Sequence, residues 1–159
     1  MSRSRLRVAV QRAADCPWLP DTGSIRRWAS AAADPAHGGE LTVRVVGEAE
    51  SASLNETYRG KRGPTNVLAF PADVPPLPDA DEPVPLGDLV ICAPVVEREA
   101  AEQGKTVLEH FAHLVVHGTL HLIGHDHEEE ADARIMEDRE REVLSAFGFD
   151  DPYRAEKGA

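Results

Sequence analysis

The chain contains the segment His117-Gly118-Thr119-Leu120-His121-Leu122-Ile123-Gly124-His125-Asp126-His127, whose spacing is typical of a metal-binding helix. His117 and His121 are four residues apart, so on a helix both imidazoles stand on one face, about 5–6 Å apart. Gly124 accepts the left-handed conformation in which helices end, and the chain can then return His127 as a third nitrogen. Three neutral histidines leave one position of a tetrahedral Zn²⁺ for water, as in catalytic sites. We therefore predict one Zn²⁺ per chain, bound by His117, His121 and His127.

The same spacing, H-x-x-x-H-x-x-G-x-x-H, occurs in the metzincin peptidases. Those enzymes carry a general-base glutamate directly after the first histidine, where this chain has Gly118. A pair of histidines four residues apart also arises by chance on helix surfaces. The third histidine and the helix-ending glycine favour a metal site, as does the presence of 5 of the 7 histidines between His113 and His127. The segment thus predicts a metzincin-like metal helix without the peptidase's proton carrier.

Two neighbours of the proposed ligands have open roles. His113 lies on the same helical stripe as His117. As a fourth ligand it would close the site, so we favour a packing contact or a hydrogen bond beneath the metal. Asp126 either accepts a hydrogen bond from a ligand imidazole or is an ordinary acid in an exposed loop.

Length and charge limit the class of protein. The 159 residues fit a single domain, 1–159, with one sizeable core. A net charge of −11 argues against a protein that coats nucleic acid through bulk charge, although it allows a local basic site. Residues 1–15 lack the apolar core of a signal peptide, and no apolar run reaches membrane-spanning length. Two cysteines, Cys16 and Cys92, indicate reduced thiols in a cytoplasmic protein.

Periodic apolar patterns predict an α+β fold, in which a small mixed β-sheet of about four strands packs with about five helices. Strands are predicted at 5–11, 40–46, 66–70 and 87–92, and helices at 22–32, 51–58, 94–103 and 128–147. The histidine helix is predicted to begin at the capping-box pattern Thr106-Val107-Leu108-Glu109. Residues 71–86 hold 6 of the 12 prolines and form a loop that is either functional or merely mobile. Residues 150–159 are expected to be a loose tail.

The last predicted helix is charged, with one apolar face. We expect Met136 to contact the core rather than to form a metzincin-like Met-turn, because its neighbours follow an amphipathic helical pattern. The residues expected to face the core are Ile135, Val143, Leu144 and Phe147.

Several segments together match a known family. They are Leu54-Asn55-Glu56-Thr57-Tyr58-Arg59, Lys61, Pro64-Thr65-Asn66-Val67-Leu68-Ala69-Phe70, Leu86-Gly87-Asp88-Leu89-Val90-Ile91-Cys92, Ala112-His113-Leu114 and the histidine segment. In this order, and over nearly the whole chain, they resemble the YbeY endoribonuclease family of bacterial ribosomal-RNA maturation factors. The resemblance implies a zinc-dependent endonuclease for single-stranded RNA, acting in 3′-end maturation of 16S ribosomal RNA and in ribosome quality control. Its implied partners are small-subunit ribosomal RNA and the ribosome or its assembly proteins.

The resemblance also implies particular site residues. It carries the three metal ligands onto His117, His121 and His127, and a functional arginine onto Arg59. The family's usual aromatic before the Asp-His pair is His125 here, and Ala69 replaces a common serine. We predict that His125 points away from the metal while His127 binds it.

Arg59 is the predicted catalytic residue, because a guanidinium can hold a phosphate through two parallel hydrogen bonds. Lys61 and Arg62 would extend this basic lip for substrate binding. From charge alone all three would be a solvated turn, and the family resemblance reverses that preference. The remaining carboxylates, concentrated after Glu128, are expected to face elsewhere. A metzincin-like zinc peptidase and a non-catalytic ribosome-assembly factor with structural zinc stay open as alternatives.

Overall fold

The computed structural model describes residues 6–33, 39–72, 85–124 and 129–153. Within these ranges the predicted α+β fold of four strands and five helices is confirmed. The elements, in chain order, are β1 (Leu6–Arg12), α1 (Thr22–Ala33), β2 (Gly39–Val46), α2 (Glu48–Arg59), β3 (Val67–Pro71), β4 (Pro85–Cys92), α3 (Ala93–Gln103), α4 (Val107–Leu122) and α5 (Glu130–Ala146).

The four strands form one mixed sheet in the order β1-β2-β4-β3. β1, β2 and β4 run parallel. β3 is antiparallel to β4, pairing from Val67 with Ile91 to Pro71 with Gly87. β3 therefore ends the sheet at one edge.

Alternating side chains of the strands divide the core between the two faces of the sheet. On one face, Leu89 and Ile91 pack with the buried residues of α1 and α4, and α5 joins the same cluster. On the other face, Val90 forms a second cluster with Leu68, against which Leu54 of α2 packs. The metal helix predicted from the sequence, α4, thus lies on the opposite side of the sheet from α2.

Helix α4 begins and ends as its sequence predicts. The Thr106 hydroxyl accepts from the Glu109 amide, and the Glu109 carboxylate accepts from the Thr106 amide, which completes a capping box. After the helix, Gly124 has a φ of +110°, a conformation that other residues rarely adopt. The predicted start of the helix and its exit at Gly124 are both confirmed.

Gly118 brings the middle of α4 directly against the sheet. A Cβ at this position would lie 2.5 Å from Cδ2 of Leu89. Leu89 is fully buried and has little room to yield. At the position where metzincin peptidases carry their glutamate, the close packing of α4 on β4 therefore leaves no room for a side chain.

Some boundaries differ from the sequence predictions. β3 continues through Pro71, and β4 already begins at Pro85, so the predicted 71–86 loop is shorter than expected. Proline is tolerated at the end and at the first residue of an edge-paired strand because few ladder donors are needed there. Residues 73–84 lie outside the described residues. α2 begins at Glu48 rather than at 51. The carboxylates of Glu48 and Glu50 lie in its first turn, where the positive end of the helix dipole stabilises them.

The packing of α5 corrects one prediction and confirms another. Ile135 is 58% exposed, so its expected core contact is wrong, whereas Met136 is buried as expected. The buried residues of α5 recur at helical spacing, and Ile135 falls outside that stripe. They are Met136, Glu140, Val143 and Leu144.

The first residues of the predicted loose tail are anchored. Asp151 pairs with the Arg141 guanidinium at 3.1 Å, and the carbonyl of Pro152 accepts from Lys105 Nζ at 2.7 Å. Residues 154–159 lie outside the described part of the chain. Among the helices that the structure describes, none combines the length and apolarity needed to cross a membrane.

Candidate active site

One stripe of α4 carries four histidines. His110, His113, His117 and His121 follow one another at steps of three or four residues, which align on one helix face. The ring centroids of His113 and His117 are 6.1 Å apart. His110 is buried and His121 is exposed, so the stripe runs from the interior to the surface.

A buried carboxylate of α5 faces this stripe. Glu140 is fully buried, and its Oε2 accepts from Nε2 of His113 at 2.5 Å and from Nδ1 of His117 at 3.3 Å. Burial alone raises the pKa of Glu140, but the hydrogen bonds from His113 and His117 outweigh it and lower the pKa to about 2. Glu140 is therefore an ionised carboxylate at neutral pH. This corrects the expectation that the carboxylates after Glu128 face elsewhere.

These three side chains have the donor chemistry of a metal site. His113, His117 and Glu140 each place one ligand-type atom within 4.8 Å of the others. Two ligands of one tetrahedral zinc, each about 2.0–2.2 Å from the ion, lie roughly 3.3 Å apart. Nε2 of His113 and Oε2 of Glu140, 2.5 Å apart, are in hydrogen-bond contact. Glu140 thus orients the imidazoles, as carboxylates beside histidine ligands commonly do.

Tyr153, after α5, completes the surroundings of Glu140. Its hydroxyl donates to Oε1 of Glu140 at 2.7 Å, so both carboxylate oxygens are occupied. The Tyr153 ring meets the His113 ring edge-on, with 5.5 Å between centroids. The anchored segment 150–153 therefore contributes to the site.

A second carboxylate joins three elements next to the histidine stripe. Oε1 of Glu99, on α3, accepts from Nδ2 of Asn66 at 3.0 Å and from Nε2 of His110 at 2.8 Å. Asn66 directly precedes β3, and its carbonyl accepts from the Cys92 amide. The bridge fixes the start of the edge strand against α4.

A pocket of about 380 Å³ lies beside the histidines. His110, His113 and His117 line it from α4, and Asn66 lines it from the start of β3. Tyr153 closes another side. This places an open volume next to the side chains that Glu140 orients.

The predicted basic lip lies on a turn that α2 holds in place. Ser51, which is buried, donates to the Thr65 carbonyl and accepts from the Thr65 amide, both at 3.0 Å. Asn55, also buried, donates to the Gly63 carbonyl at 2.9 Å. Gly60 ends α2 with a φ of +67°. The connection from α2 to β3 therefore has a defined course up to Asn66.

The structure brings some predicted site residues together and separates others. His113 and His117 share Glu140, and His121 lies one turn beyond on the same stripe. Arg59 is the exposed last residue of α2, and the structure describes no hydrogen bond or ion pair between it and the α4 histidines. Lys61 and Arg62 are exposed on the turn that follows.

Part of the predicted site falls outside the described residues. The proposed ligand His127, the residue Asp126 and the departure from the family at His125 all lie there. The assignment of His127 as a ligand, and the prediction that His125 points away, remain predictions.

Three residues of the site were not predicted from the sequence. Glu140 carries a signal, because it is a charged residue at a core position of an amphipathic helix. His110 is three residues before His113 on the same stripe, and this spacing also identifies it. Tyr153 has no comparable local signal, since only the fold brings it to Glu140.

His110 is expected to make folding stability depend on pH. Burial lowers the pKa of His110 below its ordinary value of 6.5. The hydrogen bond to Glu99 raises the pKa, but by less than burial lowers it. The unfolded chain takes up a proton first, so the stability contributed by neutral His110 begins to fall as the pH drops below about 6.5 and is lost as the pH reaches the lowered pKa of the folded state. In chelator-treated protein, the free energy of unfolding by urea is expected to fall between pH 7.5 and 5.5, and less so in His110→Gln. Equal losses in the two proteins would contradict this.

Comparison with known proteins agrees with the fold and the motifs. The family model Endoribonuclease YbeY matches residues 22–148. Endoribonuclease YbeY of Methylococcus capsulatus is 57% identical over 150 residues, covering 92% of this chain and 95% of that protein. Endoribonuclease YbeY of Xanthomonas axonopodis pv. citri is 54% identical over 154 residues, covering 96% of each. The solution structure of TM1509 from Thermotoga maritima shares the fold, with a TM-score of 0.58, 24% identity and coverage of 88% and 87%. The resemblance predicted from the sequence is confirmed, and the chain belongs to the YbeY endoribonuclease family.

Proposed function

We propose that the protein is a zinc-dependent endoribonuclease that cleaves single-stranded RNA in the cytoplasm. Its proposed role is 3′-end maturation of 16S ribosomal RNA and ribosome quality control. The observation that supports this best is the buried Glu140, whose carboxylate holds two histidines of α4 beside an open pocket. A buried charge is costly to maintain, so a carboxylate in this position indicates a functional site. The YbeY relatives, which are named endoribonucleases, support the reaction.

The proposed zinc ligands are His117, His121 and His127. Nδ1 of His117 is hydrogen-bonded to Glu140, so we assign the other ring nitrogen, Nε2, to the metal. His121 follows one helical turn later, and Gly124 gives the positive φ at which the chain leaves the helix. His113 takes the hydrogen-bonding role, because its Nε2 donates to Glu140 at 2.5 Å.

The basic turn supplies the proposed contacts to the RNA backbone. Arg59, Lys61 and Arg62 are all exposed and follow one another along the segment that leads to Asn66 at the pocket. Tyr58 is 66% exposed, and its ring rests edge-on against Phe70, with 5.4 Å between centroids. Cationic side chains beside an exposed aromatic ring are a common means of binding single-stranded nucleic acid. A local basic turn also makes an RNA substrate compatible with the net charge of −11.

In the proposed mechanism each of these side chains has a separate role. A bound zinc would polarise a phosphoryl oxygen as a Lewis acid. Arg59 would hold the scissile phosphate through its planar guanidinium and stabilise the negative charge that develops in the transition state. Glu140 would keep the His117 imidazole in one tautomer and one orientation. Lys61 and Arg62 would bind flanking phosphates.

Cleavage of defined RNAs tests the proposed function. Zinc-loaded protein is expected to cut single-stranded RNA and to spare a matched duplex, and removal of the metal with a chelator should lower the rate at least tenfold. Readdition of zinc should restore it. Digestion of casein instead of RNA would identify a peptidase, and absence of cleavage above the chelated control would favour an assembly factor with structural zinc.

Metal content tests the ligand assignment. Elemental analysis of the purified protein is expected to find about one zinc per chain. His117→Ala and His121→Ala should each hold much less, because two remaining histidines bind zinc too weakly to survive dialysis. His37→Ala, at a position remote in sequence from the metal motif, serves as the matched control. Full occupancy in either ligand variant would show that the assignment is wrong.

A further inference from the structure

The pocket beside the histidines is lined by polar and aromatic side chains in an acidic protein. The chain carries 28 acidic and 17 basic residues, yet none of the described residues that line this pocket is acidic. Lys105 and three histidines line it. Lys105 is the one lysine or arginine among these described residues, and its ammonium favours a phosphate-bearing nucleotide.

The walls of the pocket carry both aromatic rings and hydrogen-bonding groups. Tyr153 and His113 contribute aromatic rings, while Asn66 and Gln103 contribute amides. Proteins recognise unpaired RNA bases through this combination, by stacking a base on a ring and binding its edge with polar groups.

The interior of the pocket is polar and firmly held. His110 is only 4% exposed, and its Nε2 donates to Glu99, which also binds Asn66. Nδ1 of His110 and of His113 are buried, without a hydrogen-bond partner among the described residues. Lys105 is bound to the Pro152 carbonyl, which ties the segment carrying Tyr153 to the turn before α4. Side chains held in this way give a ligand a fixed surface.

The position and size of the pocket limit what it can take. It adjoins His117, a proposed zinc ligand, and the basic turn leads to Asn66 at its side. A volume of about 380 Å³ is near the lower end of the range for small-molecule sites, which suits one nucleotide rather than several.

We propose that this pocket binds the base of the RNA nucleotide next to the scissile phosphate. The assignment rests on the proposed endoribonuclease function, since it adds a base-binding subsite to that site. The Tyr153 and His113 rings provide the apolar contacts, and Gln103 at the exposed end of α3 binds the base edge. The cut is therefore made at unpaired nucleotides, because a base held in a duplex cannot enter the pocket.

Binding of mononucleotides to the zinc-loaded full chain tests the subsite without any cleavage. Isothermal titration with nucleoside 5′-monophosphates and with ribose 5-phosphate compares ligands that differ only by the base. The wild type is expected to bind the best mononucleotide about tenfold more tightly than ribose 5-phosphate. Gln103→Trp, which fills the pocket from its rim, should remove that difference. Glu102→Trp, on the exposed neighbouring position, should retain it.

A second variant and RNA cleavage separate the outcomes. Gln103→Glu leaves the pocket open but adds a negative charge, and it should weaken mononucleotide binding several-fold while the zinc content stays unchanged. Equal affinity for mononucleotides and ribose 5-phosphate in the wild type would overturn the subsite, and so would a base preference that survives Gln103→Trp. If RNA is never cut but base-dependent, Gln103-sensitive binding is measured, the proposed nuclease function fails, and with it the position beside a scissile phosphate, while the binding of a base in this pocket stands.

Discussion

Glu140→Gln is expected to weaken zinc binding by about 10–100-fold, which is the usual cost of losing a carboxylate that orients a histidine ligand. The amide has nearly the shape of the carboxylate, so packing changes little. It lacks the negative charge that favours the donated hydrogen bonds of His113 and His117. The affinity is measured by competition with a chelating dye.

Glu142→Gln is the matched control, because Glu142 lies on the same helix with its side chain 72% exposed and pairs with Arg139 at the surface. Its zinc affinity should equal that of the wild type. An unchanged affinity in Glu140→Gln would show that Glu140 supports only the fold. Glu140→Ala should also lower the free energy of unfolding by about 3 kcal/mol, since it leaves buried donors unpaired and opens a cavity.

The arrangement of strands and helices was largely predictable, because local patterns determine each element. The capping box at Thr106 and the helix-ending Gly124 fixed both ends of α4 correctly. Two strand boundaries differ from the prediction: β3 includes Pro71, and β4 begins at Pro85. Pairing between β3 and β4 extends these strands to residues where a proline was expected to end them.

The site was less predictable, because its contacts join residues far apart in the chain. Glu140 lies 23 residues from His117 and bonds to it across the packing of α4 and α5. From the sequence, the carboxylates after Glu128 are predicted to face away from the site. A single buried carboxylate on an otherwise apolar stripe was the contrary signal.

Tyr153 shows the limit of reasoning from local sequence. The sequence predicts a loose tail at 150–159, whereas tertiary contacts of Asp151 and Pro152 help to hold Tyr153 at Glu140. The family resemblance identifies the histidine segment and Arg59, but it does not by itself state how α2 and α4 are arranged about the sheet.

Arg59→Ala is expected to lower the rate of RNA cleavage by about 10²–10³, equivalent to roughly 3–4 kcal/mol of transition-state stabilisation. Arg59 ends α2, and the following turn, held by Ser51 and Asn55, leads to Asn66 beside the pocket. We expect a phosphate bound by Arg59 to belong to the same RNA strand that reaches the histidines. Arg59→Lys should recover little, because a point charge does not reproduce a planar fork.

The measurement is single-turnover cleavage of single-stranded RNA by zinc-loaded proteins, with circular dichroism and zinc content recorded for each. Arg27→Ala is the matched control, since Arg27 is an exposed arginine of α1 that bonds to Ser24. Because Arg59 is exposed and makes no described bond to the α4 histidines, its loss should leave fold and zinc content intact. A wild-type cleavage rate in Arg59→Ala would show that Arg59 does not bind the scissile phosphate. Full recovery of the rate in Arg59→Lys would show that a positive charge is sufficient and that the planar guanidinium is not needed.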